Sequence, residues 1–327
     1  MNLRVLNGET VRAVLGMERC IPLMREAMMV AASGEAVQPV RTGVGAPDGR
    51  GGLGLMPGYI ARPHRIGVKA VTVFPGNHGT TLGAHQGMVL LCDAANGRPI
   101  AIVEARAVTA IRTAAASAVA TDVLARRNPG VLAVLGCGDQ AAAHLEALPL
   151  VRDFERLVVW GRDSLRAAAF AAEQSHRLGR RIDVVESAQA AVTAADVICT
   201  TTAATEPVLL GAWLSAGQHL NVVGSSVPTT AEVDGEAVRR SRYFVDYEPS
   251  ARALAGEFAR AVKAGAVGDE HMLGAVGAVI AGTIAGRLDE ADITLFKSLG
   301  MIAEDLIAAD FAVHEAERLG VGSVVDW

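Results

Sequence analysis

The sequence is poor in aromatics, in charge and in cysteine. Phe, Trp and Tyr make up 4% of the 327 residues, charged residues make up 20%, and there are 4 cysteines. No basic excess exists: 30 Lys and Arg stand against 35 Asp and Glu, for a net charge of −5. That balance excludes a nucleic-acid binder, which needs a positive field. Cys20, Cys92, Cys137 and Cys199 lie far apart, so no zinc-ligand spacing exists. They read as small buried hydrophobes or free thiols in a reducing cytosol. No run is long enough to cross a bilayer. The longest uncharged apolar run, Met272 to Gly286, has 15 residues, against the roughly 20 a span needs. It reads as a buried helix. The N-terminal stretch is interrupted by Arg4, Glu9 and Arg12 and lacks a signal-peptide apolar region. A cytoplasmic protein without a membrane partner is expected. Tandem repeats and low-complexity linkers are also missing.

What is present is small and apolar. Hydrophobic residues reach 51% and Gly contributes 35 residues. The apolar fraction excludes a disordered chain, and the glycines follow no collagen-like period. The length suits two domains or one large one. Such a composition favours close-packed α/β architecture, in which parallel strands are buried on both faces.

Along the chain, residues 10–34 carry a helical stripe of Val11, Val14, Leu15, Ile21, Met24, Ala27 and Met28. Residues 37–60 are Gly-rich and extended. Ile66–Phe74 reads as a strand with Lys69 inside it. Met88–Cys92 and Pro99–Glu104 are strands joined by a hairpin-type turn at 93–97. After a helix over 107–126 the pattern changes. From Val131 onwards, apolar strands alternate with helices, which implies a parallel sheet. The chain from Ile293 onward is expected to be helical, with Leu295, Leu299, Ile302 and Leu306 at core spacing.

Gly136-Cys137-Gly138-Asp139-Gln140-Ala141 is G-x-G-x-x-A directly after an apolar strand and at the start of a helix. Gly136 allows the tight turn, Gly138 lets the backbone approach a pyrophosphate, and Ala141 permits close helix–strand contact. The N–H groups of Asp139 and Gln140 then sit at a helix N-terminus that favours phosphate. The second strand ends at Trp160, where NAD sites place a carboxylate for the ribose 2′-OH. Here the strand is followed by Gly161, Arg162, Asp163 and Ser164. The Arg162 guanidinium suits a 2′-phosphate, and Ser164 adds a hydroxyl. NADP(H) is therefore the expected preference, with NAD(H) possible if Asp163 serves the ribose instead.

Three cations, Arg41, Lys69 and Arg112, precede this segment on separate elements. Lys69 lies among Val68, Ala70 and Val71, and buried charges need partners. Those partners are either acids of the same domain or an anionic substrate. The histidines other than His85, namely His64, His78, His144, His176, His219, His271 and His314, show no metal-ligand spacing.

Taken together, these residues resemble the ornithine cyclodeaminase/mu-crystallin family. The likeness rests on Arg41-Thr42, Met56-Pro57, Gly67-Val68-Lys69, His85-Gln86, Arg112-Thr113-Ala114-Ala115 and the G-x-G-x-x-A turn. It continues through Val223-Gly224-Ser225 with Pro228 and Glu232, then Leu295-Phe296-Lys297-Ser298 and Glu304-Asp305. The resemblance implies a Rossmann-type dinucleotide-binding domain plus a discontinuous α/β substrate and dimerisation domain. Residues 1–115 would open the substrate domain, 116–292 form the Rossmann domain, and 293–327 return as a C-terminal helix. A homodimer is implied.

The resemblance assigns Arg41, Lys69 and Arg112 to the carboxylate of a small imino or amino acid. It adds Thr113, Thr201, Val223 and Gly224 to the cofactor-binding set. His85, or a water held by Ser226, would supply a proton. Cyclodeaminases of this family carry an aspartate after the Val-Gly pair and a glutamate before the Met-Pro. Ser226 and Gly54 stand there in this chain. The implied activity is therefore NAD(P)H-dependent reduction of a small 2-imino acid, such as 1-pyrroline-2-carboxylate or 1-piperideine-2-carboxylate, or the reverse dehydrogenation. Cyclodeamination of ornithine or lysine with bound NAD is the second reading, and a non-catalytic NADPH-binding protein the third.

Overall fold

The computed structural model of the chain describes residues 2–77, 80 and 82–327. The chain divides into two compact units, Met1–Arg112 with Gly300–Trp327, and Thr113–Leu299.

The first unit is built on a sheet of β1 (Asn2–Leu6), β2 (Ala36–Val37), β3 (Thr42–Gly45), β4 (Gly52–Ile60), β5 (Arg65–Val73), β6 (His85–Asp93) and β7 (Pro99–Glu104). β4 to β7 form an antiparallel meander. β1 joins it parallel to β7 and pairs on its other edge with a C-terminal strand, Ser323–Asp326. The N-terminal helical stripe is split into α1 (Gly8–Val14) and α2 (Met17–Ala32), because Gly16 is extended and caps the second helix. The C-terminal helix, Ile302–Leu319, lies on one face of the meander. Two glycines allow that approach: a Cβ on Gly58 would collide with Ile302, and one on Gly67 would lie 2.8 Å from Leu306. Val89, Leu91, Ala101 and Val103 on this face are buried against it, each fully buried Val or Leu contributing roughly 1.5–3 kcal/mol.

The second unit holds eight parallel strands. They are β8 (Val131–Leu135), β9 (Arg156–Trp160), β10 (Ile182–Val184), β11 (Val197–Thr200), β12 (His219–Val222), β13 (Ser241–Val245), β14 (Met272–Ala275) and β15 (Ile293–Lys297). Their order is β10-β9-β8-β11-β12-β15-β13-β14. Strand order reverses between β8 and β11, where a doubly wound sheet takes its ligand. β11 and β12 are buried at every position, as a sheet covered on both faces requires.

Three expectations are corrected. Ile293–Lys297 is a central strand rather than the start of the terminal helix. Leu295 and Leu299 have helical spacing, but a short apolar run fits either structure, and Gly300 at φ +78° separates it from the helix. Met272–Gly286 is not one helix. β14 is followed by the short helix Val276–Ile280, and Gly274 (φ +135°) and Gly282 (φ +72°) hold conformations that end a helix. The units divide at Arg112/Thr113 and Leu299/Gly300 rather than at 115/116 and 292/293. The first division falls inside α3 (Ala105–Leu124). This helix has the length and hydropathy of a membrane span, yet 72% of that window is buried inside the protein.

Candidate active site

Strand alternation turns Lys69 of β5 toward the C-terminal helix, on the face where Val89 and Leu91 are buried. The first turn of that helix carries Glu304 and Asp305, a favourable place for acids. Lys69 Nζ donates to Asp305 Oδ1 at 2.9 Å. Arg112, on α3, donates from Nε to the same oxygen at 3.1 Å and from Nη1 to Glu304 Oε2 at 2.8 Å. All four side chains are buried, and their formal charges cancel. Thus the two cations do pair with acids of their own unit. Burial pulls Lys69 from 10.5 down to about 8; Arg112 acts in the same sense, while Asp305 and Glu304 oppose it.

Two features show unfinished bonding. Among the described residues Lys69 Nζ has one hydrogen-bond partner, Asp305, so two of its three N–H donors are unspent. Asp305 Oδ2 is buried with no partner among the described residues. Buried polar atoms are normally satisfied, so this cluster is suited to a polar ligand. Gly300 presses on it: at φ +78°, a Cβ there would lie 2.6 Å from Arg112 Nη1. Arg41 is half-buried just ahead of β3, and His85 is exposed at the head of β6. Neither belongs to the pair that Asp305 bridges.

In the second unit, β8 runs into the G-x-G turn and α4 (Asp139–Ala147). Gly136 has φ +131°, and a Cβ on it would lie 2.6 Å from Thr201 Oγ1. Gly138 caps α4 without a side-chain bond. Nothing lies within 4 Å of where its Cβ would be, so the space before the helix N-terminus is open. Ala141 is buried, as is Thr113 of α3. This turn fits a pyrophosphate.

Gly161 proves to be a packing glycine. A Cβ there would lie 2.7 Å from Cys137 Sγ and 3.3 Å from Ala167 Cβ. Asp163 caps α5 (Ser164–Leu178) by accepting from Arg166 N at 3.0 Å. Arg162 and Ser164 are exposed. Arg162 has no hydrogen-bond or ion-pair partner among the described residues.

The main feature that sequence reasoning missed is the role of Glu232. It is buried and accepts from Thr200 Oγ1 (2.8 Å), Thr202 N (2.6 Å), Thr202 Oγ1 (2.7 Å) and Gly224 N (2.5 Å). It therefore ties together the loops after β11 and β12, which carry Thr201, Val223, Gly224 and half-buried Ser226. The signal was an acid a few residues beyond a Val-Gly pair, too common to interpret alone. His144 and His219 are buried and held neutral, burial pulling them to about 4 and about 3. His78 lies outside the described residues. No group of three or more potential ligands that could hold a metal exists among the described residues.

The model of the ornithine cyclodeaminase/mu-crystallin family matches residues 2–319. A ketimine reductase mu-crystallin of Mus musculus is 39% identical over 276 residues, 84% of each chain. The structure of Thermococcus litoralis Δ1-pyrroline-2-carboxylate reductase, in complex with NADH and L-proline, superposes with a TM-score of 0.95 at 33% identity, covering 98% of this chain and 99% of that one. An archaeal alanine dehydrogenase dimer with bound NAD gives 0.93 at 30% identity over 100% of both chains.

Proposed function

The chain belongs to the ornithine cyclodeaminase/mu-crystallin family, and we propose from that premise that it is an NAD(P)H-dependent reductase of small 2-imino acids. The observation that carries this reading is the buried Lys69 ammonium, which gives one hydrogen bond to Asp305 and keeps donors for a carboxylate, in a chain that also builds a pyrophosphate turn. Reduced nicotinamide, when bound, supplies a hydride for the imine carbon. The protein's task is to hold the substrate and manage charge.

Lys69 offers a point charge to the carboxylate, while Arg112, bonded through Nε and Nη1 to Asp305 and Glu304, and Arg41 add positive potential beside it. Holding the substrate in near-attack geometry contributes roughly 7–11 kcal/mol in favourable cases. One proton must reach nitrogen for each hydride that reaches carbon. The Lys69 ammonium favours the electron-rich product nitrogen, and His85 and Ser226 are the groups we assign to guiding the proton. The N–H groups of Asp139 and Gln140, past Gly136 and Gly138, would hold the pyrophosphate, and Thr113, Thr201, Val223 and Gly224 would line the rest of the cofactor site. Since Asp163 is spent on its helix cap and Arg162 is uncommitted, we assign NADP(H) as the preferred cofactor. The carboxylates that the resemblance expects of cyclodeaminases are replaced by Gly54 and Ser226, which disfavours binding a second amine.

A homodimer through the outer face of the first sheet completes the reading. The cross-strand rows Leu55–Ala70–Met88 and Pro57–Val68–Leu90 point away from the C-terminal helix and are half-buried or exposed, an apolar surface suited to a second copy. Four free cysteines accord with a cytoplasmic setting. The test is NADPH oxidation with 1-pyrroline-2-carboxylate and 1-piperideine-2-carboxylate. Stoichiometric consumption is expected. Ammonia and proline from ornithine, with cofactor only catalytic, would instead establish cyclodeamination.

A further inference from the structure

Lys297, the last residue of β15, is fully buried, and nothing in the proposed reaction uses it. Its ammonium donates to the main-chain O of Ser225 at 2.5 Å and to Ser225 Oγ at 2.8 Å, and lies 3.3 Å from Glu257 Oε1. Ser225 Oγ in turn donates to Glu257 Oε2 at 2.9 Å. Glu257 is buried on the helix Gly256–Lys263, and Tyr243 OH of β13 approaches it at 3.4 Å. Both hydrogen bonds of the ammonium therefore end on Ser225, and its ion pair is with the acid that Ser225 itself contacts. On the other side of the same turn, Gly224 N–H is held by Glu232 at 2.5 Å. The turn after β12 is clamped through an N–H, a carbonyl and a hydroxyl by three buried charged residues.

Stability alone does not account for this arrangement. A buried ion pair is on average no better than an apolar pair of the same volume, and Lys297 shares its sheet face with Tyr243, Val245 and Leu295 of the core. What an apolar pair would not do is hold the Ser225 carbonyl. The turn also lies at the carboxyl end of a parallel strand, where doubly wound sheets meet their ligands. We propose that Lys297 and Glu257 are positioning residues that hold the Gly224–Ser225 turn, and Ser226 after it, in the geometry that fixes the nicotinamide end of the dinucleotide. The proposal rests on the reading of the second unit as the cofactor-binding unit. Neither residue touches the reacting atoms. Their effect is on hydride geometry, where a displacement of about 1 Å costs about 10²-fold.

The test is the double variant Lys297→Met/Glu257→Gln, which removes both charges and leaves no lone buried ion. Amide hydrogen exchange in the cofactor-free protein is expected to rise about tenfold or more over 223–227 and to stay unchanged in β8 and β11. The dissociation constant for NADPH, read by its fluorescence, is expected to change less than about threefold. By contrast, kcat falls about 10²-fold, and the primary isotope effect with 4-deuterated cofactor rises as hydride transfer becomes limiting. Should the double variant not fold, Ser225→Ala removes only the hydroxyl and is expected to show the same pattern, with a fall in kcat of about tenfold. Unchanged exchange in the turn, or an unchanged isotope effect with near-normal kcat, overturns the proposal. If no imino acid is reduced by the wild type, the proposed activity fails. The exchange measurement and the fluorescence of bound NADPH still decide the role of Lys297.

Discussion

Asp305→Asn should move the alkaline limit of activity by about two pH units. Burial brings Lys69 from 10.5 to about 8 while Asp305, 2.9 Å away, holds it up. A charge-assisted hydrogen bond of this kind contributes roughly 1.5–3 kcal/mol, and about 1.4 kcal/mol corresponds to one pH unit. With a neutral amide at position 305, Lys69 should lose its proton near pH 6. Carboxylate binding needs the ammonium. In the wild type kcat/KM therefore falls above about pH 8, and in the variant above about pH 6. At pH 7 the variant keeps about one tenth of its lysine protonated and loses about tenfold in kcat/KM. The imino acid has its own ionisation, but it is common to both enzymes and cancels in the ratio of their profiles.

Stability moves the other way in the wild type. Between pH 8 and 10.5 the unfolded chain still holds the Lys69 proton and the native chain does not, so this residue's contribution to stability rises with pH, by up to about 3 kcal/mol. The assay is kcat/KM from pH 5.5 to 9.5 with thermal unfolding alongside. A folded Asp305→Asn enzyme whose alkaline limb coincides with that of the wild type would refute the argument.

Three further outcomes follow from the same geometry. Gly300→Ala sets a Cβ 2.6 Å from Arg112 at φ +78°. It should lower stability by about 1–2 kcal/mol and raise KM for the imino acid about tenfold or more, while a KM within twofold would mean Arg112 is not held through Gly300. Arg162→Ala should raise KM for NADPH about tenfold to a hundredfold and leave NADH unchanged; equal loss with both cofactors would remove Arg162 from the 2′-phosphate. Leu90→Arg places a charge in the outer apolar face and should yield a monomer by light scattering, whereas an intact dimer would move the interface elsewhere.

What was legible in the sequence and what was not separates along physical lines. The pyrophosphate turn was readable because its chemistry is local: Gly136, Gly138 and Ala141 act within six consecutive residues, between an apolar strand and a helix. Ile293–Lys297 is expected to be helical but forms a strand, because a five-residue segment with three apolar residues has no period long enough to tell strand from helix. Its identity is set by β12 and β13 on either side. Lys69 stood out by residue type, since a charge inside a β-branched run demands a partner, and Arg112 through the family resemblance. That partner could not be read from spacing. Asp305 is 236 positions from Lys69 and 193 from Arg112 in sequence, and only the return of the terminal helix onto β5 brings them together. The same holds for Lys297 and Ser225, 72 positions apart. In each case the sequence displays one half of a buried charge balance, and the fold supplies the other. A lysine predicted to be buried is therefore best read as a demand on the rest of the chain. Here that demand is answered by one hydrogen bond at Lys69, which keeps two donors for a ligand, and by two hydrogen bonds and an ion pair within one turn at Lys297. That difference in partners separates a residue placed to bind from one placed to hold a turn, and residue type alone could not have drawn it.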